Sequence, residues 1–470
     1  MIIKILWWIF WVSVTYFTCI NILYTLLLVS SIIQNRIRSL QVRFEDITQL
    51  VHSWYTIPVS IIIPAFNEER VIIDSIYSCL KLNYPEFEVI VINDGSTDST
   101  LRKMIEEFDL IPLDIIHRNQ IKTGPIIDTY SSRKYQNLLL VDKTNSGKAD
   151  SLNIGVNFSK YRYVCCTDAD SLFESDALLR AMRLVIEDPK HIVGLSGQVM
   201  IRNGLIIDKG KIIKRGLPKN WLALFQFVEY TRTFLSHRLG WSWLGSLMVV
   251  SGAFGIWRRD ILIKIGGFSG ETVCEDIELT FRCHRILMEK RIPYRIISIP
   301  DPVCWTEGPQ SLKNLSAQRN RWQRVVVETV LRNANMTLNP AYGCVGMLGM
   351  PYYILYEILG PFIEILSYGL VLFGIVYGYF KPELFILFLA FLIFYNAFLV
   401  MISVIIQDYG YGIFRWKDVA KLILVSLTEY VVYHTYLNLV RIKGTFDAFR
   451  KVKRWYRFER VPIERTNKKI

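Results

Sequence analysis

The sequence predicts an α/β domain with a mostly parallel sheet, flanked on both sides by transmembrane helices. Residues 55–335 alternate short β-branched runs with helical stretches, a pattern typical of a parallel sheet. Hydrophobic residues make up 51% of the 470 residues, and the longest apolar runs lie near the two ends. Polar residues follow the predicted strands at their carboxyl ends, where ligands bind in such sheets.

The N-terminal segment, residues 1–35, is predicted to be a transmembrane anchor. Its apolar run, residues 5–33, is nearly uncharged and long enough to span a bilayer. It is too long for a cleaved signal peptide, and no small-residue cleavage site follows. The basic residues Arg36, Arg38 and Arg43 come next. Because such residues mark the cytoplasmic side, we expect the following domain in the cytosol.

The middle segment is predicted to be one domain, residues 55–335, with helices at the membrane interface. Its apolar runs predict strands at 59–64, 89–93, 138–141 and 163–167. Helical stretches between and after them cover 69–80, 99–108, 148–158 and 177–186. The order of strand, helix and strand places polar residues from several strands at one edge of the sheet.

Two further spans are predicted within residues 345–406, at about 352–379 and 384–406. The first contains Glu357, Pro361 and Glu364. Carboxylates and a proline in an apolar span predict a segment that kinks or faces protein rather than bare lipid.

The last region, residues 415–470, is predicted to hold an interfacial amphipathic helix and a basic cytosolic tail. Residues 419–440 include Lys421, Glu429, His434 and Asn438, which favour a helix lying in the interface. An even number of spans after a cytosolic domain returns the tail to the cytosol, and two spans satisfy this condition. A further span over 419–440 stays open.

Charge and cysteine content exclude several classes of function. The net charge is +13, but many basic residues lie beside apolar segments, where they suit anionic lipid. No motif for reading nucleic acid is present, so we expect no nucleic-acid partner. The eight cysteines include no CxxC pair, which favours buried thiols in a reducing compartment over disulfides or a zinc site.

The clearest chemical signal is a pair of carboxylates, Asp168 and Asp170, after the predicted strand 163–167. Paired oxygen ligands suit Mg²⁺ or Mn²⁺ bound to a diphosphate. The alternative is an exposed aspartate turn that caps the next helix.

Two neighbouring segments suit a nucleotide. Asp94 ends the second predicted strand and could accept a hydrogen bond from a base or ribose, although a simple turn and helix cap also fits. Lys148 begins a predicted helix after a small-residue turn, where a cation and helix amides suit phosphate. The alternative is a solvated lysine, and the spacing is not that of a Walker motif.

Two later segments carry further candidates. In Cys274-Glu275-Asp276 a carboxylate could deprotonate an acceptor hydroxyl, or could simply complement a helix dipole. In the segment 318–322, Gln318, Arg321 and Trp322 share a helix face; the arginine suits phosphate and the indole suits a sugar ring. An interfacial helix with snorkelling arginines is the alternative.

In this order, over roughly residues 59–322, these segments resemble the membrane-bound family 2 glycosyltransferases. That family includes cellulose, chitin, hyaluronan and poly-N-acetylglucosamine synthases. The resemblance implies a GT-A fold and inverting transfer of a hexose or N-acetylhexosamine from a UDP-sugar to a glycan. A β-linked exopolysaccharide is the expected product. Single transfer to a glycolipid acceptor and an inactive synthesis subunit are the alternatives.

The resemblance also implies a role for each matching residue. Asp276 would be the general base, and Asp170 with Asp168 would ligate Mg²⁺ or Mn²⁺. The implied donor-binding residues are Pro64, Asn67, Glu68, Asp94, Lys148, Asp168 and Arg321. The implied acceptor-binding residues are Phe254, Glu275, Gln318 and Trp322.

Two substitutions depart mildly from the family pattern: Asn93 replaces an aspartate common beside Asp94, and Cys274 replaces a threonine. The few C-terminal spans leave room for an oligomer or an accessory secretion subunit. The resemblance places the chain in the cell (inner) membrane, with its catalytic domain in the cytosol.

Overall fold

The computed structural model describes residues 2–44, 55–379, 381–411 and 415–452. Contacts divide the chain into two compact units. The sheet unit contains Arg38–Lys219 and Gly245–Gly308, and the helical unit contains Met1–Ile37, Asn220–Leu244 and Pro309–Tyr456. The segments around residues 220–244 and 309–335, assigned from the sequence to the middle domain, thus group with the helical unit. The end of the predicted basic tail, residues 453–470, lies outside the described residues.

The sheet unit is built on a ten-stranded sheet in the order β3-β4-β5-β2-β1-β6-β11-β8-β12-β7, and β9 pairs with β10 separately. The strands are β1 Val59–Ala65, β2 Phe87–Asp94, β3 Leu110–Pro112, β4 Ile126–Ser132, β5 Leu138–Lys143, β6 Tyr163–Cys166, β7 Leu172–Phe173, β8 Ile192–Ile201, β9 Ile206–Asp208, β10 Lys211–Lys214, β11 Gly255–Arg258 and β12 Arg295–Thr306.

The predicted α/β class is confirmed. The four neighbouring strands β5, β2, β1 and β6 are parallel, as the alternation with helices predicts. Outside this centre the sheet is mixed, because β11 runs antiparallel to both β6 and β8, and β4 runs antiparallel to β5. All four predicted strands are present, and each observed end lies within two residues of its expected position.

The helices are α1 Ile2–Phe44, α2 Ile72–Leu80, α3 Thr100–Phe108, α4 Lys148–Phe158, α5 Ala177–Glu187, α6 Trp221–Arg232, α7 Leu239–Trp243, α8 Arg259–Lys264, α9 Glu275–Glu289, α10 Leu312–Arg332, α11 Met350–Tyr352, α12 Gly360–Val376, α13 Pro382–Tyr411, α14 Trp416–Thr428 and α15 Thr435–Phe449. Four π-helical segments accompany them: Thr233–Arg238, Val345–Gly349, Tyr353–Ile358 and Glu429–His434.

Helix α4 lies directly on the central strand β1. Every residue of β1 is buried. A Cβ atom added at Gly155 of α4 would lie 2.3 Å from Cγ2 of Ile62, so glycine permits this close approach. The packing fixes α4 against the sheet, and its first residue, Lys148, follows the carboxyl end of β5 by a short loop.

Two helices of the described chain are long and apolar enough to cross a membrane, Trp7–Ile37 and Phe385–Gln407. The pair Val345–Ile358 and Gly360–Val376 would add a third span if it crosses as one, and it bends by 44°. The bend precedes Pro361 in the first turn of α12, where a proline is tolerated but cannot continue an earlier helix. The kink expected from Pro361 is therefore present.

The two carboxylates of this bent segment contact protein, as predicted. Glu357 pairs with Arg441 of α15 at 2.6 Å. Glu364 accepts hydrogen bonds from Nε2 of His434 at 2.8 Å and from Nδ2 of Asn438 at 2.9 Å. Polar groups within an apolar bundle are stabilised by such internal pairing.

The segment predicted as an interfacial helix has its polar residues inside the helical unit. Glu429 and Asn438 are fully buried, whereas Val432 and Leu439 are 61% and 53% exposed. An interfacial helix would turn its polar face outward to water. Glu429 and Asn438 instead contact other helices of the unit, and the interfacial placement of 419–440 stays a prediction.

Candidate active site

Lys148 joins three of the segments that the sequence singled out. Gly147, at φ +96°, ends the loop after β5 and lets α4 begin at Lys148. The Lys148 ammonium lies 2.7 Å from Oδ1 of Asp168, which follows β6, and 2.6 Å from Oε1 of Glu275, the first residue of α9. The lysine, the aspartate pair and the predicted base segment therefore meet at the carboxyl ends of the parallel strands.

The carboxylates around Lys148 keep it charged. Partial burial disfavours the ammonium form, but Asp168, Glu275 and Asp276 outweigh this effect and hold the Lys148 pKa well above its usual value. The site thus contains an ammonium group that is ion-paired with carboxylates of two other segments.

The loop 250–254 connects the aspartate pair to the start of α9. The amide of Gly252 donates to Oδ2 of Asp276 at 3.2 Å. On the other side, Oγ1 of Thr167 donates to the carbonyl of Ala253 at 2.9 Å. A Cβ atom on Gly252 would lie 3.2 Å from Nζ of Lys148 and 3.4 Å from Oδ2 of Asp276, so a side chain here would crowd the site.

Phe254 of this loop lies in the core. Its side chain is fully buried and packs on Phe173 with ring centroids 5.0 Å apart. The ring therefore supports the loop from beneath. The acceptor contact predicted for Phe254 stays a prediction.

Asp276 has the environment of a carboxylate with reduced acidity. It is half-buried in the first turn of α9, and its Oδ1 accepts from the amide of Ile277 at 2.8 Å. Burial, followed by the neighbouring Glu275, raises the Asp276 pKa, and Lys148 partly offsets the rise. A carboxylate with a raised pKa is a better proton acceptor than one at its usual value.

Asp168 and Asp170 lie just beyond β6. Asp170 is 5% exposed, and Asp168 is half-buried beside Lys148. No cluster of three or more His, Cys, Asp or Glu side chains poised to hold a metal occurs within the residues that the structure describes. Mg²⁺ is commonly held by one or two carboxylates together with substrate phosphates, and these two aspartates fit that donor set.

Asp94 is bound to the loop that precedes Lys148. Its Oδ1 accepts from the amide of Ser146 at 2.9 Å, and its Oδ2 accepts from the amide of Gly147 at 3.0 Å. The buried ammonium of Lys143 lies 2.5 Å from Oδ1. The sequence analysis did not identify Lys143 as a site residue, although a lysine at the end of a buried strand is a signal that could have identified it.

The segment after β1 shapes the turn after β2. Pro64 lies in β1 opposite Ile92 of β2. Asn67, at φ +57°, accepts from the amide of Thr97 through Oδ1 at 2.7 Å. The amide of Glu68 donates to Oγ1 of Thr100 at 2.9 Å. The donor-binding roles of Pro64, Asn67 and Glu68 stay predictions, and these contacts hold the segment next to the turn that follows Asp94.

The segment 318–322 lies on α10 of the helical unit. Gln318, Arg321 and Trp322 are half-buried there. Their donor and acceptor roles stay predictions.

Arg319 fixes the surroundings of Trp322 within the helical unit. Its Nη2 lies 2.6 Å from Oε2 of Glu229 on α6 and 3.2 Å from the Tyr433 hydroxyl, which itself donates to Glu229 at 2.7 Å. The guanidinium lies 4.3 Å from the Trp322 ring centroid, within cation–π range.

Comparison with known families identifies the chain. The model described as "Glycosyl transferase family 2" matches residues 60–124, and "Glycosyltransferase like family 2" matches residues 128–325. Together they span more than half of the chain. The chain belongs to family 2 of the glycosyltransferases. With this family established, the mixed sheet is that of the GT-A fold implied by the resemblance.

Among relatives of this family 2 chain are enzymes named poly-β-1,6-N-acetyl-D-glucosamine synthase. The Staphylococcus epidermidis protein is 29% identical over 276 residues, 58% of this chain and 56% of that protein. The Staphylococcus aureus (strain COL) protein is 27% identical over 281 residues, 60% of this chain and 57% of that protein. The matched region thus covers little more than half the length of these relatives.

Solved structures show a weaker likeness. A mannosyltransferase from Pyrobaculum calidifontis, in complex with GDP-mannose and Mn²⁺, aligns with a TM-score of 0.47 and 18% identity, over 92% of this chain and 98% of its own. Residues 1–349 of S. aureus TarS, in complex with UDP-GlcNAc, align with a TM-score of 0.39 and 16% identity, over 86% and 94%.

Proposed function

We propose that the chain is an inverting hexosyltransferase that transfers a hexose or N-acetylhexosamine from a UDP-sugar to a glycan acceptor. The observation that carries this proposal is the Lys148 ammonium between Asp168 and Glu275, with Asp276 beside it. This arrangement places a cation for phosphate next to a carboxylate with a raised pKa. Family 2 membership supplies the reaction class.

In the proposed reaction, Asp276 takes the proton of the acceptor hydroxyl. The hydroxyl oxygen forms a bond to the anomeric carbon, and the bond from that carbon to the phosphate oxygen breaks, so UDP leaves with the electron pair. Attack from the face opposite UDP converts an α-linked donor into a β-glycoside. The amide of Gly252, which donates to Asp276 at 3.2 Å, holds the carboxylate in place.

The leaving diphosphate requires positive charge. Lys148 supplies one positive charge from this chain. Asp168 and Asp170 would hold Mg²⁺ or Mn²⁺, which would neutralise developing charge on the leaving group.

The relatives direct the choice of substrate. Because they are named as poly-β-1,6-N-acetyl-D-glucosamine synthases, UDP-N-acetylglucosamine is the first donor to test, and a β-linked exopolysaccharide is the proposed product. The candidate spans associate the chain with a bilayer. We place the sheet unit in the cytosol, where nucleotide-sugars are made, and the chain in the cell membrane. An oligomer or an accessory secretion subunit would complete secretion.

The purified full chain in detergent or nanodiscs is assayed for UDP release with UDP-N-acetylglucosamine, UDP-glucose and UDP-galactose, with Mg²⁺ or Mn²⁺. We expect one donor to be preferred, and we expect Asp276→Asn to reduce turnover about a hundredfold or more. Glu106→Gln, at an exposed carboxylate of α3, is the control and should keep wild-type turnover. Near-native turnover of Asp276→Asn would exclude it as the base.

Product size separates the alternatives. A long glycan indicates polymer synthesis, whereas one sugar on a lipid acceptor indicates single transfer. No turnover with any donor, although UDP still binds, would favour an inactive subunit.

A further inference from the structure

Lys143 lies at the end of β5 with its side chain completely buried. An ammonium group has three N–H donors, and the structure provides three acceptors. Nζ lies 2.5 Å from Oδ1 of Asp94 and 3.1 Å from Oδ2 of Asp150, and it donates to Oγ of Ser146. A buried lysine with every donor used is a fixed element of the fold.

The partners of Lys143 determine the shape of the loop 144–147. Asp94 accepts the amides of Ser146 and Gly147, and its own carbonyl accepts from Nδ2 of Asn145 at 2.8 Å. A Cβ atom at Gly95 would lie 2.8 Å from the Asn145 amide nitrogen, so this turn and the loop are in close contact. The loop is therefore held from the strand β2 along most of its length.

The excess negative charge of this cluster is stabilised by backbone amides and by the N-terminus of α4. Asp94 and Asp150 carry two negative charges against the single positive charge of Lys143. The remaining charge is stabilised by amides of the loop and by Gly124, whose amide donates to Oδ1 of Asp150 at 3.0 Å. Asp150 also lies in the first turn of α4, where a carboxylate complements the helix dipole.

Lys148 directly follows this loop. We propose that Lys143, acting through Asp94 and the loop 144–147, is a positioning residue that sets the place of the Lys148 ammonium in the site. Asp94 acts in the same way, since both of its oxygens are engaged by the loop. This inference rests on the proposed function, because Lys148 matters there as the cation for the donor diphosphate.

Lys143→Met, Lys143→Met/Asp150→Asn and wild type are compared as full chains. Removing Lys143 alone leaves the buried Asp94 and the partly exposed Asp150 without their counter-charge, and Asp150→Asn relieves part of that repulsion. We expect the double variant to regain part of the lost stability and still bind UDP about tenfold or more weakly than wild type, with the KM for the donor rising more than kcat falls. Lys103→Met, at a partly exposed pair with Glu69, is the matched control and should bind UDP normally.

Hydrogen exchange gives a readout independent of activity. Faster exchange of the Ser146 and Gly147 amides in the double variant, with normal exchange in β1 and β2, is expected if Lys143 positions the loop. If Lys143 has a purely structural role, the double variant should differ from wild type in stability but not in UDP affinity or in hydrogen exchange of the loop. That result overturns the proposal.

Failure of the proposed function can be distinguished from failure of the Lys143 proposal. If wild type neither turns over nor binds any UDP-sugar, the proposed function fails, while loop exchange still decides whether Lys143 orders the loop. If the Lys143 variants do not fold, Ser146→Ala removes one ammonium contact and the hydroxyl donation to Asp150, and it leaves the Lys143–Asp94 pair in place. Weaker UDP binding and faster loop exchange in Ser146→Ala support the proposal, and wild-type values overturn it.

Discussion

Replacing Arg319 by methionine tests the buried ion pair between Arg319 and Glu229, which lies next to Trp322. Arg319 and Glu229 are 8% and 18% exposed and lie 2.6 Å apart. Burial disfavours the guanidinium charge, but Glu229 more than offsets this and holds the Arg319 pKa above its usual value. Removing the arginine leaves the poorly solvated Glu229 carboxylate with a hydrogen bond from the Tyr433 hydroxyl.

The size of the effect follows from this burial. Removing one partner of a buried pair costs about 3–5 kcal/mol, because the remaining charge is uncompensated. Glu229 keeps the hydrogen bond from Tyr433 and some exposure, so we expect a loss in the free energy of unfolding near the lower end, about 3 kcal/mol. An exposed pair is worth at most about 1 kcal/mol.

Unfolding of the purified full chain in detergent measures the loss. Arg102→Met is the control, since Arg102 and Glu106 form a pair in which both side chains are more than two-thirds exposed. Arg319→Met/Glu229→Gln should recover most of the stability, because no buried charge is left alone. The reasoning is refuted if Arg319→Met loses no more stability than Arg102→Met, or if the double variant is no more stable than the single one.

Two further predictions concern the sheet unit. Burial lowers the His284 pKa from 6.5 to about 4. Between these two pH values the unfolded chain binds a proton at His284 and the folded chain does not. The free energy of unfolding should therefore fall by about 3 kcal/mol as the pH drops from 6.5 to about 4. His284→Gln should flatten that slope in unfolding measured against pH, and equal slopes would contradict the assignment. Gly252→Ala should lower kcat roughly tenfold with little change in stability, because its methyl group would lie 3.2 Å from Nζ of Lys148 and would shift the ammonium from its place in the site. Gly369→Ala, where no atom lies within 4 Å of the added carbon, is the control for Gly252→Ala, and equal turnover of the two variants would count against a crowded site.

The meeting of Lys148 with Asp168 and Glu275 was partly predictable from the sequence. Continuous β-branched runs such as 59–64 identify central strands, because a strand covered on both faces has no polar alternation. Once those strands are parallel, their carboxyl ends share an edge, and the residues that follow them converge. The family resemblance added the segments whose position does not follow from strand order, such as 274–276.

Specific partners within the site could not be predicted in the same way. The pattern Asn93-Asp94-Gly95 indicates a turn, but it does not show that both oxygens of Asp94 bind loop amides 52 and 53 residues later. The surroundings of Phe254 could not be predicted either, since a phenylalanine in the loop 250–254 gives no sign of whether its ring faces a ligand or the core. Such details depend on packing between elements distant in sequence.

The segment 419–440 shows why polar residues in an apolar helix are ambiguous. A glutamate or histidine is stabilised either by water or by a partner, and sequence alone does not reveal a partner such as Glu364 for His434, 70 residues away. The π-helical stretch Glu429–His434 adds a second difficulty, because it changes the angular relation between the residues before and after it. A face calculated with one helical period across the whole segment therefore mixes buried with exposed positions. Glu429 and Asn438 are buried because they pair with Arg232 and Glu364, whereas Val432 and Leu439 face outward.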